Sequence, residues 1–281
     1  MSEDEVLVMV VGLFAATAAA IALSTSRLHH LHTRGNTGIG LHRTAVLAAL
    51  AWAAYVIYFH GDESIRGIYV AFYLLLTYAV VKGFGQLLGP AMLGLNVRRD
   101  VFVRGNRPIA LFTAAFALAT GLVFGGSLWG EADPLSDAEG GWWIPVGFFL
   151  LGWLILVAAT ALYAWRGRRF HRQLRREHDL GAARAAAVFV LSSTAVILQG
   201  VAGDFWGWTE GLLSMGTIAL MLLGHELLAG NHDSSAEPAG YGDVISLREF
   251  LEHALFIGLA VACWWLNRLI AANYTGAATG G

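Results

Sequence analysis

Eight apolar stretches follow one another along this chain, and the loops that separate them alternate in charge. The stretches fall at 6–24, 45–59, 68–88, 109–128, 142–164, 183–202, 212–229 and 251–271. Some twenty helical residues cross a hydrocarbon layer of about 30 Å, so each stretch is a span by itself or with its flanks. Hydrophobic residues make up 57% of the chain and charged residues 14%, against about 25% charged in an ordinary soluble domain. A water-soluble fold of this length would have no interior large enough for that apolar surface. The pattern predicts an all-α, polytopic transmembrane bundle forming one membrane domain over 1–281, with the bilayer as its main partner.

The loops fix an orientation. Arg27, Arg34 and Arg43 lie between the first two runs, Arg98, Arg99, Arg104 and Arg107 between the third and fourth, and Arg166 to Arg184 between the fifth and sixth. The intervening loops are acidic, with Asp62 and Glu63, then Glu131, Asp133, Asp137 and Glu139, then Asp204 and Glu210. The positive-inside rule places the basic loops in the cytoplasm and both termini outside, as in a multi-pass bacterial inner-membrane protein. The last inner loop is weaker, because Asp233, Glu237 and Asp243 outweigh Arg248; its residues 230–242 read as a flexible cytoplasmic linker. Of the 18 basic residues only Lys82 is a lysine, and nearly all the rest sit in three alternate loops, a topology signal that excludes a nucleic-acid footprint. The acidic start, Met1 to Glu5, lacks the positive region of a secretory leader, so the first run is expected to stay as a span. Cys263 is the only cysteine, which leaves no disulfide, CxxC pair or thiolate zinc site to build.

A motif recurs. Arg34-Gly35-Asn36 and Arg104-Gly105-Asn106 each open a span rich in small residues, and the third basic loop opens another through Asp179-Leu180-Gly181. Each such span ends at an acidic corner, followed by Gly67-Ile68-Tyr69, Gly141-Trp142-Trp143 or Gly207-Trp208, where glycine permits the turn and the rings suit the headgroup level. The unit is a two-helix hairpin, and four of them account for eight spans. Ala110, Ala114, Ala117, Gly121 and Gly125 recur at three or four residues, which puts small side chains on one helix face for close backbone approach.

The run Arg104-Gly105-Asn106-Arg107-Pro108-Ile109-Ala110, with Ala117 and Thr120-Gly121-Leu122 beyond it, resembles the YjfL-like bacterial inner-membrane proteins. That likeness implies tandem two-helix repeats and supplies no chemistry.

Charges within spans are the first functional candidates, since placing one in hydrocarbon costs about 2.5 to 3.5 kcal/mol. Lys82 in the third run and Glu226 in the seventh sit at comparable depth and would pair if those helices face one another. Histidines are the second set: nine of the ten lie at the basic ends, and His225, Glu226, Glu249, Glu252 and His253 would supply a metal or proton-relay site if they converged. Glu131, Asp133, Asp204 and Glu210, among tryptophans, would form an outer acidic vestibule able to attract cations. No phosphate-binding loop, nucleophile elbow or HExxH pair occurs. The expectation is therefore a transport-like, channel-like or assembly subunit without an enzymatic mechanism or cofactor of its own, partnered by other membrane subunits or by copies of itself. The alternative is a metal or haem redox protein using the basic-side histidines.

Overall fold

The computed structural model describes residues 3–22, 36–61, 67–130, 143–166, 170–202, 208–229 and 245–278. Its elements are helices: α1 (Glu3–Ala22), α2 (Thr37–Phe59), α3 (Ile68–Val80), α4 (Gly89–Met92), α5 (Arg107–Gly126), α6 (Trp143–Arg166), α7 (Phe170–Arg172), α8 (Leu180–Val201), α9 (Trp208–Ala229) and α10 (Leu247–Ala278). Three π-helical stretches interrupt them, at Val81–Leu88, Val97–Val103 and Gln173–Glu177. Seven helices among the described residues are long and apolar enough to cross a membrane, and the first apolar run of the sequence falls on the 20-residue α1. The expected multi-pass helical membrane architecture is what the chain adopts.

The spans differ from the apolar runs at their ends, because caps rather than hydropathy decide where a helix starts. The second run begins at 45, yet α2 starts at Thr37 because the Asn36 side chain accepts a hydrogen bond from the Gly38 amide at 3.0 Å. His42 and Arg43 consequently lie inside the helix and not in a loop. The third run continues as a π-helix from Val81 and then as α4 to Met92. Residues 173–177 form a π-helical turn ahead of α8.

Four helices, α2, α5, α8 and α10, run side by side in one direction. At one end of the α2–α5 pair, Asn36 reaches the carbonyl of Val101 just before α5; at the other, Gly130 donates to the His60 carbonyl and the His60 and Trp129 rings stack at 3.8 Å. Between the ends the small-residue face does what its spacing implies. A methyl group at Gly121 would come within 2.3 Å of the Ala49 Cβ, and one at Gly125 within 2.5 Å of Trp52. On its other side α5 meets α8, where Gly126 lies against Leu198 and Val201. The remaining spans fill the flanks: α3 with its π-helical continuation packs on α1, α2 and α5, α6 on α5, α8 and α9, and α9 on α8 and α10. Helix α5 is the centre, with 83% of its span buried; α10 is the rim, with 11% buried.

Candidate functional site

A set of helix caps and ion pairs gathers at the arginine-rich end of the bundle. Asn106 caps α5, its Oδ1 accepting from the Ile109 amide at 2.9 Å, while its Nδ2 donates to the Leu174 carbonyl at 2.9 Å. Asn36 makes the same pair of contacts one step earlier, capping α2 and donating to the Val101 carbonyl at 3.2 Å. Val101 and Leu174 occupy matching places in the π-helical turns Val97–Val103 and Gln173–Glu177. In the first turn the Asn106 amide donates to Asp100; in the second the Asp179 amide donates to Gln173. Each turn then reverses through a residue of positive φ, Gly105 at 66° and His178 at 52°. One carboxamide thus starts a helix and hooks the turn in front of the next. The third cap, Asp179, accepts from Ala182 at 3.0 Å but has no N–H to donate. There Arg184 of α8 bridges to Glu249 of α10 instead, one of its contacts at 3.0 Å.

Asp100 is the hub of this end. Its carboxylate is 1% exposed and receives Arg99 at 3.2 Å, Arg104 at 3.4 Å, Arg175 at 3.1 Å and the Asn96 amide at 3.2 Å. Burial pushes its pKa up, but the amide and guanidinium donors outweigh that and hold it below the usual carboxylate range. Arg175 also donates to the Gly94 carbonyl at 2.6 Å, so one ion cluster ties together the turns before α5 and before α8.

Lys82 and Glu226 are not brought together. The helices that carry them sit in different parts of the bundle, α3 and its continuation against α1, α2 and α5, and α9 against α6, α8 and α10. Lys82 donates to Gln86 at 3.1 Å and stands over the Tyr78 ring at 5.7 Å; among the described residues it has no carboxylate partner. Glu226 pairs with Arg166. Neighbouring α2 and α5 add a second buried polar contact, His42 Nε2 to Thr113 Oγ1 at 3.0 Å.

The five proposed metal ligands separate into three contacts. His225 binds Glu252 beneath the Tyr163 ring, whose centroid is 4.2 Å away. Glu249 is held by Arg184, with His253 at 4.0 Å, and Glu226 has left with Arg166. Among the described residues no group of three or more His, Cys, Asp or Glu side chains converges as a metal ion requires. Arginine, which the sequence reading treated only as a topology signal, takes up two of the carboxylates. The His225–Glu252 contact is an imidazole hydrogen-bonded to a carboxylate between α9 and α10.

Glu131, Asp133 and Asp204 lie outside the described residues, as do Arg34 and Gly35 and the side chain of Glu210. Sequence reasoning missed Asp100, Asp179 and the His42–Thr113 contact. Asp179 carried a signal, an acid immediately before a small-residue helix, and so did Asp100, the one carboxylate among Arg98, Arg99 and Arg104. No family model, curated protein or solved structure matches this chain.

Proposed function

We propose that this chain is a structural or assembly subunit of a bacterial inner membrane, built from duplicated two-helix hairpins, with its arginine-rich junctions in the cytoplasm and both termini outside. The observation that carries the reading is a solid centre. A pore or carrier needs polar groups turned toward a path between helices, whereas the helix at the middle of this bundle is packed on both sides. The buried threonine hydroxyls of this helix and of those around it are used up locally. Thr77, Thr120, Thr160 and Thr194 each donate to the carbonyl four residues back on their own helix, so none offers its hydrogen to a passing solute.

Duplication is supported by a side-chain cap that recurs at Asn36, Asn106 and Asp179, 70 and then 73 residues on, by the hook that Asn36 and Asn106 share, and by the π-helical turn that precedes both Asn106 and Asp179. The likeness to the YjfL-like repeat proteins points the same way and is offered as part of this proposal. The rigid end and the largely uncovered α10 suit a protein that holds a place in a complex more than one that alternates between open states.

Reconstitution tests this. Liposomes carrying the purified protein should leak protons, potassium and chloride no faster than empty ones, while cross-linking in native membranes should give a discrete higher-mass species. Flux well above empty liposomes, abolished by Lys82→Met, would replace the assembly reading with transport.

A further inference from the structure

Beside the hub, at the level where the basic ends of α6 and α9 leave the bilayer, the surface opens into a groove of about 800 Å³. Its floor is apolar and small, formed by Ala161 and Ala164 of α6 with Met92 and Leu93 at the end of α4. Its rim is charged: Arg166 and Glu226 form an ion pair, and His171 stands beside them with Nε2 on the Leu93 carbonyl at 2.7 Å. Trp165 projects next to the pair and is 74% exposed. A floor without polar groups, continuous with the lipid-facing surface of α6, selects a hydrocarbon chain. An indole at the mouth is the side chain that favours the headgroup level.

The rim decides what the chain is attached to. Glu226 and Arg166 are 55% and 36% exposed in their side chains, so each has a face left for a second partner. An anionic headgroup alone would gain from Arg166 and be repelled by Glu226. A headgroup that carries a phosphate and a primary ammonium satisfies both, the phosphate on Arg166 and the N–H donors on Glu226. We propose that this groove holds one aminophospholipid of the phosphatidylethanolamine class, in the leaflet on the arginine-rich side. The inference rests on the membrane reading but not on the assembly role, and a failed assembly test leaves it standing.

The occupant is identified by headgroup selectivity. Purified protein in detergent, stripped of lipid, is titrated with brominated phosphatidylethanolamine, phosphatidylcholine and phosphatidylglycerol, and quenching of Trp165 is taken as the difference between wild type and Trp165→Phe. The ethanolamine lipid should quench at a concentration at least about fivefold lower than the other two. Glu226→Gln should bring ethanolamine and choline lipids together, Arg166→Gln should weaken all three, and Ala161→Phe, on the exposed face of α6, should block quenching by filling the floor while the fold is retained. Soluble phosphoethanolamine should neither quench nor compete, since the floor recognises the chain. Equal quenching by the three lipids, preference for the glycerol lipid, unaltered selectivity in Glu226→Gln, or competition by soluble phosphoethanolamine would each overturn the proposal.

Discussion

Replacing Asn106 separates the two tasks assigned to its carboxamide. In the wild-type protein one side chain, 5% exposed, caps α5 through the Ile109 amide and donates to the Leu174 carbonyl, on a residue with no exposed surface. Losing a cap costs about 1 kcal/mol, and losing the hook removes a hydrogen bond worth about 1 kcal/mol net while stranding a buried carbonyl. Asn106→Ala should therefore lose about 2 to 3 kcal/mol. Asn106→Ser keeps an acceptor for the cap but cannot reach Leu174, and should lose about 1 to 2 kcal/mol on the same reckoning. Asn106→Asp keeps the cap, as Asp179 does in α8, but turns a carboxylate toward a carbonyl; it should be at least as damaging as alanine at neutral pH and recover in acid, where the protonated group donates again. Reversible unfolding by SDS in mixed micelles, followed through the ten tryptophans, measures all three. Serine as harmful as alanine would mean that the cap is worthless here. Alanine within about 0.5 kcal/mol of wild type, the range of an inconsequential surface change, would mean that the junction does not hold the bundle.

Other substitutions test separate parts of the account. Asp100→Asn should destabilise by about 1.5 to 3 kcal/mol, the range for hydrogen bonds to charged groups. Because the Asp100 carboxyl is held below its ordinary range, the stabilisation is complete above the unfolded carboxylate value and fades as pH falls through the lower folded one; thermal melts of wild type and Asp100→Asn should converge in acid, and a gap that widens there would refute the sign. Gly121→Ala forces a methyl to within 2.3 Å of Ala49 and should lose about 1 to 3 kcal/mol, whereas Gly83→Ala meets nothing within 4 Å and should be neutral or slightly stabilising; equal melting points for the two variants would contradict the packing. Lys82→Met removes an intramembrane cation that has no carboxylate partner among the described residues, so its melting point should match or exceed wild type, and a marked fall would show that Lys82 supports the fold.

The architecture was legible because hydropathy and charge act residue by residue along the chain. Apolar runs and the stripe from Ala110 to Gly125 are local patterns, and they recur in the structure as helices and close contacts. The recurrent Asn was visible as well, but only as a motif. That its amide donates across to the turn before the next helix depends on which helices lie side by side, and hydropathy does not encode adjacency. The same limit explains the Lys82–Glu226 expectation, since equal depth in the bilayer is a sequence property and facing is not. The metal-site expectation for His225, Glu226, Glu249, Glu252 and His253 meets the same limit, because Arg166 and Arg184 lie beside that end in space and take two of the carboxylates. At the third junction the capping oxygen belongs to Asp179, so what recurs is a capping side chain and not the Gly-Asn pair.

Accessibility of the arginine-rich turns tests the central claim most directly. In a Cys263→Ser background, single cysteines at Arg98, Arg172 and Tyr58, all on exposed positions, are labelled with a membrane-impermeant maleimide in right-side-out and inverted vesicles. Positions 98 and 172 should react only in inverted vesicles and position 58 only in right-side-out ones. Labelling of 98 and 172 from opposite sides would contradict a bundle whose basic junctions share one face of the bilayer.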